Sequence, residues 1–115
     1  MADEPGIQRN TYCPRFHFAV ELLGQRWTAV VLRVLARGPA RFGQIRRQIP
    51  GLSDRLLAKR LSELVDSGIV RRCEQDGDAC YGLSERGRKI MLALDAIDAV
   101  KYDIAPVDTP VATAR

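Results

Sequence analysis

Apolar residues recur along this chain with two different periods, and the change between them organises it. Phe16, Ala19, Val20 and Leu23 follow i, i+3, i+4, i+7 spacing, which predicts a first helix from Pro14 to about Leu23. Pro14 suits the first helical turn, where its missing N–H costs nothing. Gly24 breaks the run. Trp27, Val30, Val31, Val34 and Leu35 repeat at the same spacing and predict a second helix, stopped by Gly38-Pro39. Phe42, Ile45 and Ile49 mark a short third helix that Pro50-Gly51 ends. Ser53 is the expected N-cap of a fourth helix, with Asp54 set against the positive end of its dipole. Leu57, Leu61, Leu64 and Val65 would be its buried stripe, and Gly68 its end.

Beyond Gly68 the period shortens. Ile69 to Glu74 and Ala79 to Leu83 read as short strands around Gln75-Asp76-Gly77-Asp78, and Asp-Gly is a strong signal for a two-residue hairpin turn. Ser84 then caps a fifth helix with Glu85 in its first turn. Ile90, Leu94 and Ile97 share one face of it, and Met91 and Val100 widen the apolar surface. Residues 1–11 read as a flexible N-terminus and 12–104 as one domain. Residues 105–115, with two prolines among Thr, Ala and Asp, read as a disordered tail.

The resulting order is four helices, a hairpin and a helix: mainly α, in the α+β sense. A short helix, a tight Pro-Gly turn and a capped basic helix predict a helix-turn-helix, and the short β-hairpin after it would be a wing. If Leu57, Leu61 and Leu64 face inward, then Arg55, Ala58 and Lys59 lie outside. Ser53, Asp54 and Arg55 occupy the helix end that reaches base edges in this motif. Arg can fork onto guanine, and a Ser hydroxyl or backbone N–H can hold a phosphate. Arg46, Arg47 and Arg60 are expected to meet the DNA backbone or solvent. The candidate DNA-contacting set is therefore Arg41, Gln44, Arg46, Arg47, Ser53, Asp54, Arg55, Ala58 and Lys59, with Arg71 and Arg72 on the hairpin.

Charge supports this choice of face. The whole chain carries +4, but residues 41–60 hold six basic residues against one acid, a net +5. Residues 90–115 hold two basic residues against four acids, a net −2. Concentrated positive charge is the footprint expected of a nucleic-acid-binding face, although a basic helix can equally be a solvated surface. The acidic, polar start Met1-Ala2-Asp3-Glu4-Pro5 does not read as a secretory signal, and no apolar run approaches membrane-spanning length. Three cysteines, an odd number, fit a reducing cytoplasm better than a disulfide scaffold.

An ordered set of short segments narrows the reading: Cys13-Pro14, Leu23-Gly24-Gln25-Arg26-Trp27, Gly38-Pro39-Ala40-Arg41-Phe42, Ile45 through Ser53, Leu57 to Leu64, Asp66 through Val70, and Tyr81 through Gly87. Together, from Cys13 to about Val100, they resemble the HxlR-type regulators, a branch of the MarR-like winged-helix superfamily. The resemblance implies a transcriptional regulator that binds double-stranded DNA as a homodimer, with the N- and C-terminal helices used for dimerisation. It also implies an oxidant- or electrophile-sensing role for Cys13. A thiol at a helix N-terminus, beside Arg15 and one turn from His17, is placed to favour the reactive thiolate. The wing departs from the family pattern. Only Gln75 to Cys80 separate Glu74 from Tyr81, where relatives usually carry a longer segment. That argues against minor-groove reading, while leaving Arg71 and Arg72 to reach phosphates.

A turn centred on Asp76-Gly77 would also set Cys73 opposite Cys80, as a hydrogen-bonded pair with Cα atoms about 5.5 Å apart. The reading preferred for a cytosolic chain is two reduced thiols. A zinc site from Cys73, Cys80 and His17 has poor spacing and too few ligands. His17 reads as an ordinary packed or surface side chain. No nucleophile motif, phosphate loop or carboxylate pair points to an enzyme, and no cofactor is implied. Two alternatives stay open beside the thiol-responsive regulator: one answering to a small-molecule effector alone, and a winged-helix protein-interaction module.

Overall fold

The computed structural model describes residues 11–104; the predicted flexible start, apart from Thr11, and the predicted tail lie outside them. Its elements are α1 (Pro14–Leu23), α2 (Thr28–Leu35), α3 (Phe42–Gln48), α4 (Asp54–Asp66), β1 (Val70–Gln75), β2 (Asp78–Leu83), α5 (Glu85–Ala99) and the short α6 (Lys101–Ile104). The sequence had not suggested α6.

Two serine caps set the frame. Ser53 Oγ accepts a hydrogen bond from the Leu56 N–H at 3.1 Å and starts α4. Ser84 Oγ accepts from the Gly87 N–H at 3.1 Å and starts α5, while its hydroxyl lies 2.6 Å from the Gly68 carbonyl oxygen. One side chain thereby joins the start of α5 to the end of α4. The approach is close enough that a Cβ on Gly87 would run into the Ile69 carbonyl oxygen, so glycine is required there.

Leu57, Leu61 and Leu64 of α4 share one buried core with Val31, Leu32 and Leu35 of α2 and with Ile45, Ile49 and Leu52. All nine are at most 2% exposed. Trp27 departs from its predicted place inside α2. It is the N-cap, with φ 78° in the left-handed region. For a bulky residue that conformation costs about 1–3 kcal/mol. Packing holds it: the ring lies against the core, and the Arg26 guanidinium sits 5.4 Å from its centroid.

The hairpin pairs Val70 with Leu83 through Gln75 with Asp78. Asp76 (φ 51°) and Gly77 (φ 84°) form its two-residue turn, both left-handed as a type I′ turn demands. Each strand reaches the turn itself, and Ile69 lies outside, correcting the predicted bounds. Ile69 N–H instead closes the end of α4 on the Leu64 carbonyl oxygen at 3.0 Å. Ala40 and Tyr81 exchange two backbone hydrogen bonds of 2.9 Å, a bridge the sequence did not announce. It docks β2 beside the entry to α3.

Helix α1 has its predicted bounds, Pro14–Leu23. It contains no buried residue, and Phe16, Phe18 and Val20 are exposed. Of its apolar residues Leu22 and Leu23 touch the core, while Phe16, Ala19 and Val20 of the predicted stripe are exposed. On α5, Met91 is buried in the core instead of widening an outer face, and Ile90 and Leu94 pack against it. Ile97, Val100, Tyr102 and Ile104 remain exposed.

Candidate nucleic-acid interface

The turn between α3 and α4 is built from Ile49, Pro50, Gly51 and Leu52. Leu52 is fully buried and anchors it. With Leu57, Leu61 and Leu64 committed to the core, helical geometry forces Ser53, Asp54, Arg55, Ala58 and Lys59 outward, and all five are exposed. Arg55 and Lys59 stand one turn apart with the small Ala58 beside them, leaving room for a duplex to approach the N-terminal half of α4. Ser53 spends its hydroxyl on the cap, so its hydroxyl oxygen is already engaged by the Leu56 N–H.

Arg46, at the end of α3, donates from Nε to Asp54 Oδ1 at 2.8 Å. This ion pair ties the last turn of α3 to the first turn of α4. Gln44 accepts from the Arg41 N–H through Oε1 at 2.8 Å and so caps α3. Arg47 is exposed beside Arg37 on an open bay of about 420 Å³, also lined by Pro39, Gln44 and Gln48. Arg37 was not singled out from sequence. Its placement depends on the Gly38-Pro39 bend, which brings the end of α2 alongside α3.

Arg41 turns toward the wing. Its Nη2 lies 3.5 Å from the Gln75 carbonyl oxygen and 3.6 Å from Asp76 Oδ2, and its Nε lies 3.5 Å from Asp78 Oδ2. Its charge is thus shared with an acidic hairpin tip. Arg71 and Arg72 are both exposed, but adjacent strand residues point to opposite faces. They cannot present one joint surface to a duplex. The Arg71 guanidinium lies over Gly82, 3.6 Å from where a Cβ would stand.

Arg60 is corrected outright: it faces neither DNA nor solvent. It is 7% exposed, its Nε donates to the Arg26 carbonyl oxygen at 2.8 Å, and its Nη1 pairs with Glu63 at 3.0 Å. It clamps α4 to the corner between α1 and α2. Farther away, Asp98 of α5 bonds Arg33 Nη1 at 2.6 Å and Lys101 Nζ at 2.9 Å. Those hydrogen bonds, Arg33 first, hold its carboxyl well below the ordinary range, at about 2.

Cys13 is the exposed N-cap of α1 and makes no side-chain cap bond. His17 is exposed, with its ring 5.8 Å from that of Tyr12. Cys73 and Cys80 stand opposite each other, as the turn predicted, but the structure joins them in a disulfide with Cα atoms 4.9 Å apart. The preference for two reduced thiols is therefore corrected: the pairing brings the sulfurs within bonding reach. Among the described residues no three His, Cys, Asp or Glu side chains gather as metal ligands, and no helix is long and apolar enough to cross a membrane.

The sequence profile of the HxlR-like helix-turn-helix proteins matches residues 22–106. The HTH-type transcriptional regulator YodB of Bacillus subtilis is 38% identical over 93 residues, covering 78% of this chain and 83% of YodB. The reduced form of YodB superposes with a TM-score of 0.74 at 33% identity, over 82% of this chain and 95% of that one. The quinone-bound form gives 0.71 at 35%, over 80% and 99%.

Proposed function

The chain belongs to the HxlR-like helix-turn-helix family, and from that premise we propose that it is a homodimeric transcriptional regulator that binds duplex DNA sequence-specifically through α4. The observation that carries this reading is the exposed row Ser53, Asp54, Arg55, Ala58 and Lys59 over a fully buried leucine stripe. Arg55 takes the base-reading position, Lys59 and Arg47 take phosphates, and Arg46 positions the turn. Arg41 and Gln44 act by holding the wing and the start of α3. Of the hairpin pair, at most one of Arg71 and Arg72 meets the same duplex face.

The exposed side chains of Phe16, Phe18 and Val20 on α1 supply the dimer contact together with Ile97, Val100, Tyr102 and Ile104. Exposed aromatic and aliphatic side chains concentrated on α1 and on the α5–α6 end of the domain mark an interaction surface. Residues 12–104 form the working unit, and it acts where the DNA is, in the cytoplasm. Cys13, exposed at the start of the interface helix, is the thiol through which oxidants or electrophiles act. The quinone-bound form of YodB supports that choice of effector class.

An acidic wing tip, with Asp76 and Asp78, favours a second reading as a protein-interaction module. A mobility shift separates the two. Duplex from immediately upstream of the chain's own coding sequence should be bound in preference to a shuffled duplex of equal length. Equal, weak binding of both supports the interaction module.

A further inference from the structure

The wing is held in place by three devices, and one of them is chemically reversible. The Ala40–Tyr81 bridge fixes the base of β2 against the entry to α3. Arg41 reaches from the same entry to the tip, at Asp76 and Asp78. Between base and tip, Cys73 and Cys80 close the hairpin covalently. The pleat sets Arg71, Cys73 and Gln75 on one face of β1, opposite Gly82, Cys80 and Asp78 of β2. The disulfide thus lies on the face from which Arg41 grips Asp78, two residues from Arg71. Cys80 is 1% exposed, whereas Cys73 is only partly covered, so a reductant reaches the bond from the Cys73 side.

We propose that Cys73 and Cys80 form a dithiol–disulfide couple that sets the rigidity of the wing and through it the affinity for DNA, independently of Cys13. The inference rests on the DNA-binding reading above. A two-stranded hairpin is marginally stable alone, so removing its cross-link increases the wing's freedom, which must be lost again on binding. In the reducing direction, a thiolate of a dithiol reductant attacks Sγ of Cys73 and expels the Cys80 thiolate, which takes up a proton. The reductant's second thiolate then attacks its own sulfur in the mixed disulfide. This releases Cys73, which is protonated in turn, and the reductant leaves as a disulfide. In the oxidising direction an azo oxidant such as diamide takes two electrons and two protons from the pair and becomes the hydrazine.

The test uses the full chain carrying Cys13→Ser, so that only the wing couple responds. One half is treated with dithiothreitol and the other with diamide, and both reagents are removed. Alkylation followed by intact-mass measurement counts the free thiols, and fluorescence anisotropy gives affinity for the operator and for a shuffled duplex. The oxidised protein should take no alkyl group and the reduced protein two. Reduction should weaken operator binding at least about threefold, by lowering the binding-competent fraction. Amide exchange should quicken across residues 70–83 while α2 and α4 are unchanged. Two alkyl groups after diamide, or equal operator affinity in the two states, would overturn the proposal and leave the DNA-binding reading standing. Failure of both states to prefer the operator overturns that reading and this proposal together. A comparison of two redox states of one variant does not depend on a cysteine-free wing folding.

Discussion

Arg46 and Asp54 meet across the turn of the helix-turn-helix, Nε to Oδ1 at 2.8 Å, and are the only described residues joining α3 to α4 by an ion pair. Both were candidate DNA contacts, yet each occupies the other. Asp54 is 75% exposed, so the pair stands where phosphates would approach. An exposed pair of this kind contributes only about 0.2–1 kcal/mol to stability. Its larger effect is on the charge presented to DNA.

Asp54→Asn should therefore strengthen non-specific binding. It removes a negative charge beside the duplex and frees Arg46 for a phosphate. One added phosphate contact steepens the slope of log K against log salt by about 0.9. Anisotropy on random duplex at several salt concentrations reads this, and an unchanged slope would show that Arg46 stays away from the backbone.

Arg55→Ala should weaken operator binding by about 1–3 kcal/mol and random-duplex binding much less, as a lost base contact does. Equal losses on both duplexes would assign Arg55 to a phosphate.

Arg60→Met should act on the fold first. It leaves the Arg26 carbonyl oxygen without its 2.8 Å donor and Glu63 without its 3.0 Å partner. Hydrogen bonds to a charged group contribute about 1.5–3 kcal/mol, and chemical denaturation should show a loss of that order. A stability like that of the wild type would mean that Arg26 and Glu63 find other partners.

Local chemistry and spacing are legible in the sequence, and long-range partners are not, as Arg60 and Arg41 show. Ser53, Ser84 and Asp76-Gly77 announce caps and a turn through local chemistry, and Leu57, Leu61 and Leu64 announce a buried stripe through spacing alone. Arg60 was not legible, because its main acceptor is 34 residues away in sequence. Arg41 likewise answers to a hairpin tip 34 residues on. The apolar stripe of α1 was legible as a stripe, but periodicity identifies a face without saying whether the same chain covers it. Trp27 has helical spacing, yet the packing of its ring fixes a left-handed backbone that no spacing rule detects.

Asp98 gives a pH signature. Its carboxyl is held at about 2, below the ordinary 3.8, by Arg33 and then Lys101. A depressed carboxyl stabilises the fold above its unfolded value, and that contribution fades as pH falls through the folded value. The link between α2 and α5 should thus persist at pH 4 and be lost toward pH 2. Carboxyl carbon NMR should place the Asp98 midpoint near 2, and Arg33→Ala should raise it. A wild-type midpoint at the ordinary value would show that the two side chains do not meet in solution.

In the proposed complex two copies of α4, carried by one dimer, read one duplex. Hydroxyl-radical footprinting of the chain on DNA from upstream of its own coding sequence tests it most directly. Two protected patches should appear, centred one helical turn apart, about 10–10.5 base pairs, or a multiple of that. Both should fade together in Arg55→Ala. A single protected patch that no second patch joins at saturating protein, or uniform protection along the duplex, would contradict it.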